Sequence, residues 1–433
     1  MDLKQAPSSV APTGTPSPAA LLWRNRGFNI LWIGQTFSAL GDSFALVALP
    51  LLVLEATGSV AQMGLVTGVN GVGQIVAGVF AGVLVDRVDR RRLMIGCDIA
   101  RCFLYGLIPL WWALRGPAFW LIYVVVLLAS LVSMGFQVAY MTAVANLVDR
   151  NQITDANGRL QATYAIAYVV GPMLAGLVSA RTGPVAAIGI DAISFVVSAF
   201  SLALIRLRVT PDDLRSASRA AESKLSELVA GARYLWREPT LRAITWLTSI
   251  EGLLIGGVVD LFIFHLKHDL GQGDSAVGVV LGLASVGAAL GSALAPWLRR
   301  RFGFGVTWIT GFAFSGVALA LVGPAPNAAL VAVCASGFTL GDTVRAILQV
   351  SLRQELTPDH LLGRVTSAFW TLGGVPISLG AALTAALAQR IGAPAVLFGM
   401  GVGVLSMALI AIATPVRAAR PEQRLPDAPP EGA

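Results

Sequence analysis

The chain has 433 residues, of which 55% are hydrophobic and 13% charged, and its formal net charge is +7. This composition excludes an ordinary soluble protein, which would carry about 25% charged residues and divide into two or three domains at this length. Apolar segments of about 18–25 residues, long enough to cross a bilayer as a helix, recur instead. They predict an all-α polytopic membrane protein, because backbone polar groups in lipid must be satisfied within the helix.

Twelve transmembrane spans are predicted, separated by turns rich in Gly and Pro. In chain order they are 28–54, 60–85, 92–114, 117–142, 159–180, 184–206, 241–265, 275–298, 303–322, 327–350, 363–388 and 394–414. They form an N-terminal six-helix bundle (28–206) and a C-terminal one (241–414). The tails 1–27 and 415–433 are expected to be disordered, and no cleavable signal peptide is expected.

A linker at 207–240 joins the two bundles and contains the pattern of an amphipathic helix. Its apolar residues are spaced i, i+3, i+4 and i+7: Leu225, Leu228, Val229, Ala232, Leu235 and Trp236. Basic residues accompany them, which favours a position on the cytoplasmic membrane surface. A helix that binds a partner protein is the alternative.

The basic residues predict how the chain is oriented. With both termini in the cytoplasm, 25 of the 31 Lys and Arg lie in cytoplasmic segments and four in outside loops. This distribution follows the positive-inside rule and predicts a multi-pass protein of the inner cell membrane, in contact with the lipid bilayer. Because these charges are spread over seven segments, no nucleic acid is expected as a partner. Nothing in the sequence predicts an oligomer, so a monomer is expected.

Enzymatic activity is not predicted. Cys97, Cys102 and Cys334 are odd in number and fit no metal-site spacing, so they are interpreted as buried thiols. Neither a His-Glu-x-x-His zinc motif nor a P-loop is present. We therefore expect no catalytic residue, no metal and no cofactor.

The two halves of the chain resemble each other. Asn157-Gly158-Arg159-Leu160 precedes span 5, and Leu362-Gly363-Arg364-Val365 precedes span 11. A Pro-containing small-residue stretch then follows in both spans, and basic clusters follow spans 2 and 8. The offsets between these features are about 204–213 residues, which indicates the parallel 6+6 repeat of one large class of secondary transporters.

Four ionisable residues fall near the middle of spans, where a charge costs about 2.5–3.5 kcal/mol and therefore suggests a function. They are Asp42 in span 1, Glu251 in span 7, and Asp342 with Arg345 in span 10. Asp342 and Arg345 are three residues apart and share a helix face, so a structural ion pair is the alternative. A bond to the helix backbone is the alternative for Asp42. Other polar residues are expected at the membrane interface: Asp191, Asp260, His265 and His268.

The loop after span 2 carries a family resemblance. Gly82-x-x-x-Asp86-Arg87-x-x-Arg90-Arg91 resembles the signature loop of the major facilitator superfamily, with Asp89 where the family usually has Gly. The resemblance covers the whole chain and implies the 6+6 fold, with spans 1, 4, 7 and 10 lining a central cavity. It also implies that this loop is a conformational latch in which Asp86 contacts the start of span 11. Asp98 and Arg101, three residues apart in span 3, are expected to brace the latch. The alternative is that the arginines only fix topology.

A motif in span 5 resembles that of the superfamily's antiporters and implies export. It comprises Gly158, Ala167, Gly171, Pro172, Ala175 and Gly176, with Ala replacing Gly twice. Small residues let helices approach closely and the proline bends the helix, so an ordinary packing face is the alternative.

Two further stretches resemble the exporter branch that includes macrolide efflux proteins and the enterobactin exporter. They begin at Phe37 in span 1 and at Glu227 in the linker. The sequence thus predicts a secondary transporter that works by alternating access and exports small amphipathic compounds (drugs, macrolides, siderophores or secondary metabolites) against protons. An uptake symporter, a lysophospholipid flippase and a non-transporting membrane receptor are the alternatives.

Overall fold

A computed structural model describes residues 22, 24–85, 89–145, 147–148, 152–205 and 224–418. Within these ranges, twelve helices are long and apolar enough to cross a membrane, which confirms the predicted number of spans. Spans 1 to 6 are Arg26–Thr57, Val60–Val85, Arg90–Arg115, Phe119–Ala145, Ile153–Thr182 and Pro184–Leu204. Span 7 consists of Pro239–Ile255, Val258–Phe264 and a π-helical turn, His265–Asp269. Spans 8 to 12 are Asp274–Phe302, Phe304–Val322, Ala328–Leu356, Asp359–Ile391 and Ala393–Ile412.

Glycines end several of the spans where the sequence predicted turns. Gly58 follows span 1 in the left-handed conformation, with φ 63°, and its N–H donates to Leu54 O at 2.7 Å. Gly392, between spans 11 and 12, has φ 89°. Only glycine adopts these conformations without steric cost, so these positions fix where a span stops.

The N-terminal half is held together by close contacts at small residues. Span 1 packs on spans 5 and 6, span 3 on spans 4 and 6, and span 2 on span 4. A Cβ atom at Gly34 or Gly41 would collide with serines of span 6. These glycines let spans 1 and 6 approach, and small residues are what helix packing in lipid requires.

The two halves meet along spans 2 and 11 and along spans 5 and 8. Because each half has six spans, the linker and both chain ends lie on one side, here called the linker side; the opposite side is the far side. Gly64 of span 2 lies against the backbone of Ala381, and Gly176 of span 5 lies against the backbone of Gly278. Both contacts lie toward the far side, so the structure is closed there.

Span 7 is interrupted at Gly256 and Gly257. A Cβ at Gly256 would collide with the carbonyl of Ile377, and one at Gly257 with the Thr384 side chain, both in span 11. The break therefore lets span 7 lie directly on the backbone of span 11. It divides the span so that Glu251 lies before the break and Asp260 after it.

The linker contains a helix, Lys224–Arg237, that packs on the start of span 11. Tyr234 Oη donates to Leu356 O at 2.7 Å, and Gly231 lies against the backbone of Arg364. Leu235 is buried. The linker helix is thus attached to the C-terminal half, and its position on a membrane surface stays a prediction.

Candidate functional site

Four charged residues of the N-terminal half form what we call the N cluster: Asp42, Asp98, Arg101 and Asp191. Asp98, Arg101 and Asp191 are buried, and Arg101 Nη2 donates to Asp98 Oδ1. The Arg101 guanidinium lies over the rings of Phe136 and Phe195, 4.5 and 4.2 Å from their centroids. Arginine is weakly hydrated and stacks on aromatic faces, so it is suited to this buried position.

Asp42 differs from the other members of the N cluster because it is exposed. It lies within electrostatic range of Arg101 and Asp191, and also of Tyr105 and Tyr164. These neighbours come from spans 3, 5 and 6. With three carboxyls and one guanidinium, the fully ionised cluster would carry a net charge of −2.

The C-terminal half contains a second group, the C cluster, made of Glu251, Asp342 and Arg345. Arg345 Nη2 lies 2.5 Å from both Glu251 Oε2 and Asp342 Oδ1. The guanidinium also lies 4.5 Å from the centroid of the Phe312 ring. Glu251 and Arg345 are buried, whereas the Asp342 side chain is 34% exposed. The Asp342–Arg345 ion pair, given by the sequence as the alternative to a functional role, is therefore present, and Glu251 joins it.

Asp42 and Glu251 occupy corresponding positions of the two repeats. They are 209 residues apart, within the offset range of the other repeated features. Each lies in the first span of its half, and each has a buried arginine nearby that rests on a phenylalanine ring. Their arginines come from different places, span 3 in one half and span 10 in the other, so the two clusters are related but not equivalent.

Asp260 lies between the two halves, after the break in span 7. It is 2% exposed, and its neighbour across the interface is Thr67 of span 2. Its Oδ2 has no hydrogen-bond partner among the described residues. Span 2 (60–85) contains no ionisable residue and neither does span 12 (393–412). Among the described residues, no ion pair to this buried carboxyl is present.

An ion network joins several spans on the far side. Lys267, in the π-helical turn, pairs with Asp274 at the start of span 8 and lies 3.4 Å from Glu55 Oε1 at the end of span 1. Ser59 Oγ donates to Gln389 Oε1 at 3.1 Å. The Glu55 and Ser59 contacts join the N-terminal half to the C-terminal half, and both must break if the far side opens.

The proposed latch is described only in part. Gly82 lies in the last turn of span 2, whereas Asp86 and Arg87 lie outside the described residues, so their contacts stay a prediction. Arg91 donates from Nε to Leu202 O at 2.8 Å and from Nη2 to Ala203 O, at the carboxyl end of span 6. Asp89 accepts from Arg92 N at 2.9 Å and caps span 3, which gives the departure from the family's glycine a structural reason. Arg90 begins span 3.

The span 5 motif lies on two contact surfaces. Gly171 lies against Ser43 of span 1, and Gly176 against Gly278 of span 8. Ala167, Pro172 and Ala175 are buried, whereas Gly158 has open space around it. The motif therefore packs within its own half and also across the interface between the halves, as its small residues predict.

The sequence matches the family model of the Major Facilitator Superfamily over residues 31–381. The chain belongs to the Major Facilitator Superfamily. The fold agrees: the crystal structure of the nucleoside transporter NupG superposes with a TM-score of 0.70 at 12% identity, covering 90% of this chain and 98% of that one. The protein is thus a multi-pass membrane transporter with the 6+6 fold expected from the sequence.

Similar curated proteins are efflux proteins. The multidrug efflux pump Tap of Mycolicibacterium fortuitum is 27% identical over 397 residues, covering 89% of this chain and 95% of Tap. Macrolide efflux protein A of Streptococcus pyogenes is 25% identical over 372 residues, covering 84% and 90%. The enterobactin exporter EntS of Shigella boydii is 24% identical over 414 residues, covering 94% and 96%. This agrees with the exporter branch that the sequence resembles.

Two acids have a different environment from the one expected from the sequence. Asp191 and Asp260 were expected at the membrane interface, but both are buried. Asp191 lies two turns into span 6 beside Ser194, where Gly41 of span 1 leaves room for it. Asp98 and Arg101 belong to the same buried cluster, and no described contact links them to the latch loop. The signal that could have identified Asp191 was its position inside an apolar span.

Asp260→Leu is expected to leave the melting temperature of the protein unchanged or raise it, while slowing transport. A buried carboxyl without a cation costs more than an apolar side chain of similar size, so its loss removes a penalty. Opening of the far side would hydrate this carboxyl and so favour the open state. The leucine variant lacks this contribution, so we expect it to open more slowly. Melting temperature and transport rate measured on the same preparation test this. A melting temperature lowered by several degrees, with an unchanged transport rate, would show that Asp260 only stabilises the fold.

Proposed function

We propose that the protein exports small amphipathic compounds in exchange for protons, by alternating access. The observation that carries the proposal is Asp42, an accessible carboxyl deep in the N-terminal half and within electrostatic range of a buried arginine and a second acid. An intramembrane carboxyl of this kind can bind a proton or a cationic substrate. The efflux relatives and the antiporter-like motif of span 5 support export over uptake.

The direction of opening follows from the distribution of basic residues. The positive-inside rule places the linker side in the cytoplasm. The far side, held closed by glycine contacts and by Lys267, is then the outer face, and the state described is closed to the outside. A substrate would reach the space between the halves from the cytoplasm or from the inner leaflet, and it would leave when the far side opens.

The N cluster provides the chemistry of coupling. When the far side opens, a proton from outside binds Asp42 and removes its negative charge, so a bound cation or hydrogen-bonded substrate is released there. When the linker side opens again, hydration and the Arg101 guanidinium favour the ionised carboxylate, and the proton leaves to the cytoplasm. One proton then enters for each substrate exported.

The C cluster contributes a second charged surface. Arg345 holds Glu251 and leaves Asp342 partly exposed. Asp342 is therefore in contact with solvent, whereas Glu251 is buried in its pair with Arg345. A substrate with an acidic group would compete with Glu251 and Asp342 for Arg345.

The function can be tested in inverted membrane vesicles with an imposed pH gradient, to which drugs, macrolides and siderophores are added. The parent is expected to collapse the gradient when a substrate is present. Asp42→Asn, which keeps size but cannot ionise, is expected to abolish that collapse. Glu251→Gln serves as the comparison in the other half. Substrate transport that continues in Asp42→Asn with unchanged proton flux would exclude Asp42 as the coupling group.

A further inference from the structure

A basic pocket lies where spans 8, 9 and 10 meet on the linker side. Its volume is about 630 Å³. Its basic wall is Arg299, Arg300 and Arg301 at the end of span 8, and its apolar wall includes Phe304, Ile347 and Leu348. Phe304 and Leu348 are buried, so this wall is part of the fixed packing of spans 9 and 10. The pocket is separate from both charged clusters.

The three arginines of this pocket differ in their contacts. Arg299 Nη2 lies 2.5 Å from Glu355 Oε2, and its guanidinium lies 6.0 Å from the centroid of the Phe304 ring. Arg300 and Arg301 are exposed and have no ion-pair or hydrogen-bond partner among the described residues. The pocket therefore has two positive charges that no described group neutralises.

The pocket lies at the level of the membrane surface. Trp297 and Phe302, on the same last turns of span 8, are 52% and 49% exposed, and their rings meet edge to face with centroids 6.1 Å apart. Large exposed aromatic residues near the end of a span are typical of the headgroup region of a bilayer. Arg300 and Arg301 thus lie at the depth of lipid phosphates, with an apolar surface directly beside them.

We propose that this pocket binds the phosphate headgroup of an anionic phospholipid. The guanidinium groups of Arg300 and Arg301 bind the phosphate oxygens, and an acyl chain lies along Trp297 and Phe302. Guanidinium groups bind phosphate through paired hydrogen bonds, and basic pockets between transmembrane helices on the cytoplasmic side are suited to anionic headgroups. A free phosphate would use the arginines alone, whereas the neighbouring apolar and aromatic surface favours a lipid.

A bound lipid would stabilise one end of the C-terminal half. It would connect the end of span 8 with the start of span 9 and with Ile347 and Ser351 of span 10. Span 10 also carries Arg345, so the lipid would act on a helix of the C cluster from its linker-side end. This inference does not depend on the exporter proposal, because it concerns binding and stability.

The test compares purified parent with Arg300→Gln/Arg301→Gln. Phosphatidylglycerol, phosphatidylcholine or inorganic phosphate is added to the detergent-solubilised protein, and both lipid retention by native mass spectrometry and melting temperature are measured. Phosphatidylglycerol is expected to raise the melting temperature of the parent and to bind the double variant about thirtyfold more weakly, as the loss of two surface charge contacts predicts. Arg115→Gln/Arg181→Gln removes two far-side arginines and is expected to bind like the parent.

Two results would overturn the proposal. Equal retention of phosphatidylglycerol by the parent and the Arg300/Arg301 double variant would show that the pocket binds no lipid. An equal effect of inorganic phosphate on the parent would show that the site takes a free anion instead. If the double variant fails to fold, the single variants Arg300→Gln and Arg301→Gln are compared, and each is expected to bind about sixfold more weakly than the parent.

Discussion

Arg345→Gln is expected to lower the stability of the protein by about 3–5 kcal/mol and to abolish transport. The substitution leaves Glu251 buried without its cation, because Glu251 Oε2 lies 2.5 Å from the guanidinium and its Oε1 has no partner among the described residues. It also removes the charge from the surface of the C cluster. Thermal or denaturant unfolding in detergent, together with a transport assay, measures both effects.

The matched control is the double variant Glu251→Gln/Arg345→Gln. Two neutral side chains of similar size remove the unpaired charge, so most of the lost stability is expected to return while transport remains absent. Glu251→Gln alone leaves Arg345 paired with Asp342 and is expected to be milder than Arg345→Gln. Equal destabilisation by Arg345→Gln and by the double variant would contradict the pairing.

Gly176→Leu is expected to prevent closure of the far side and to reduce transport at least about tenfold, a loss equivalent to about 1.4 kcal/mol of transition-state stabilisation. A Cβ at Gly176 would collide with the Asp274 carbonyl and with the backbone of Gly278. Backbone atoms cannot rotate away as side chains can, so spans 5 and 8 must separate.

Closure can be followed by cross-linking Ser59→Cys to Gln389→Cys with a short bifunctional thiol reagent, because Ser59 Oγ and Gln389 Oε1 are 3.1 Å apart in the parent. The pair is expected to cross-link in the parent and not in Gly176→Leu, in a background without the three native cysteines. Gly399→Leu is the control, because Gly399 of span 12 has open space around it. Efficient cross-linking in Gly176→Leu would mean that this contact does not control closure.

The spans could be predicted from sequence because hydrophobic length and turn residues act locally. The predicted and observed bounds of span 2 agree, and those of span 9 differ by one residue. Span 7 is different: its break at Gly256 and Gly257 looks like any glycine pair in an apolar segment. The break is explained by close packing on span 11, a tertiary contact that a linear pattern does not contain.

The candidate site could be predicted in part. The spacing of Asp342 and Arg345 allowed their pairing as an alternative to a functional role, because residues three apart share a helix face. That Glu251 would join them depends on how spans 7 and 10 pack. Likewise, the grouping of Asp42 with Arg101 and Asp191 depends on how spans 1, 3 and 6 pack. Asp260 was assigned to the interface from its position along span 7, and its burial is caused by span 2 from the other half.

The measurement that tests the central claim most directly is transport in proteoliposomes with an imposed pH gradient of either sign. The movement of a substrate identified in the vesicle assay is measured across the membrane, with the protein inserted in a known orientation. Proton-coupled export predicts uphill substrate movement against the direction of proton flow, reversing when the gradient is reversed and lost in Asp42→Asn. Movement of substrate in the same direction as protons would contradict the account and indicate a symporter.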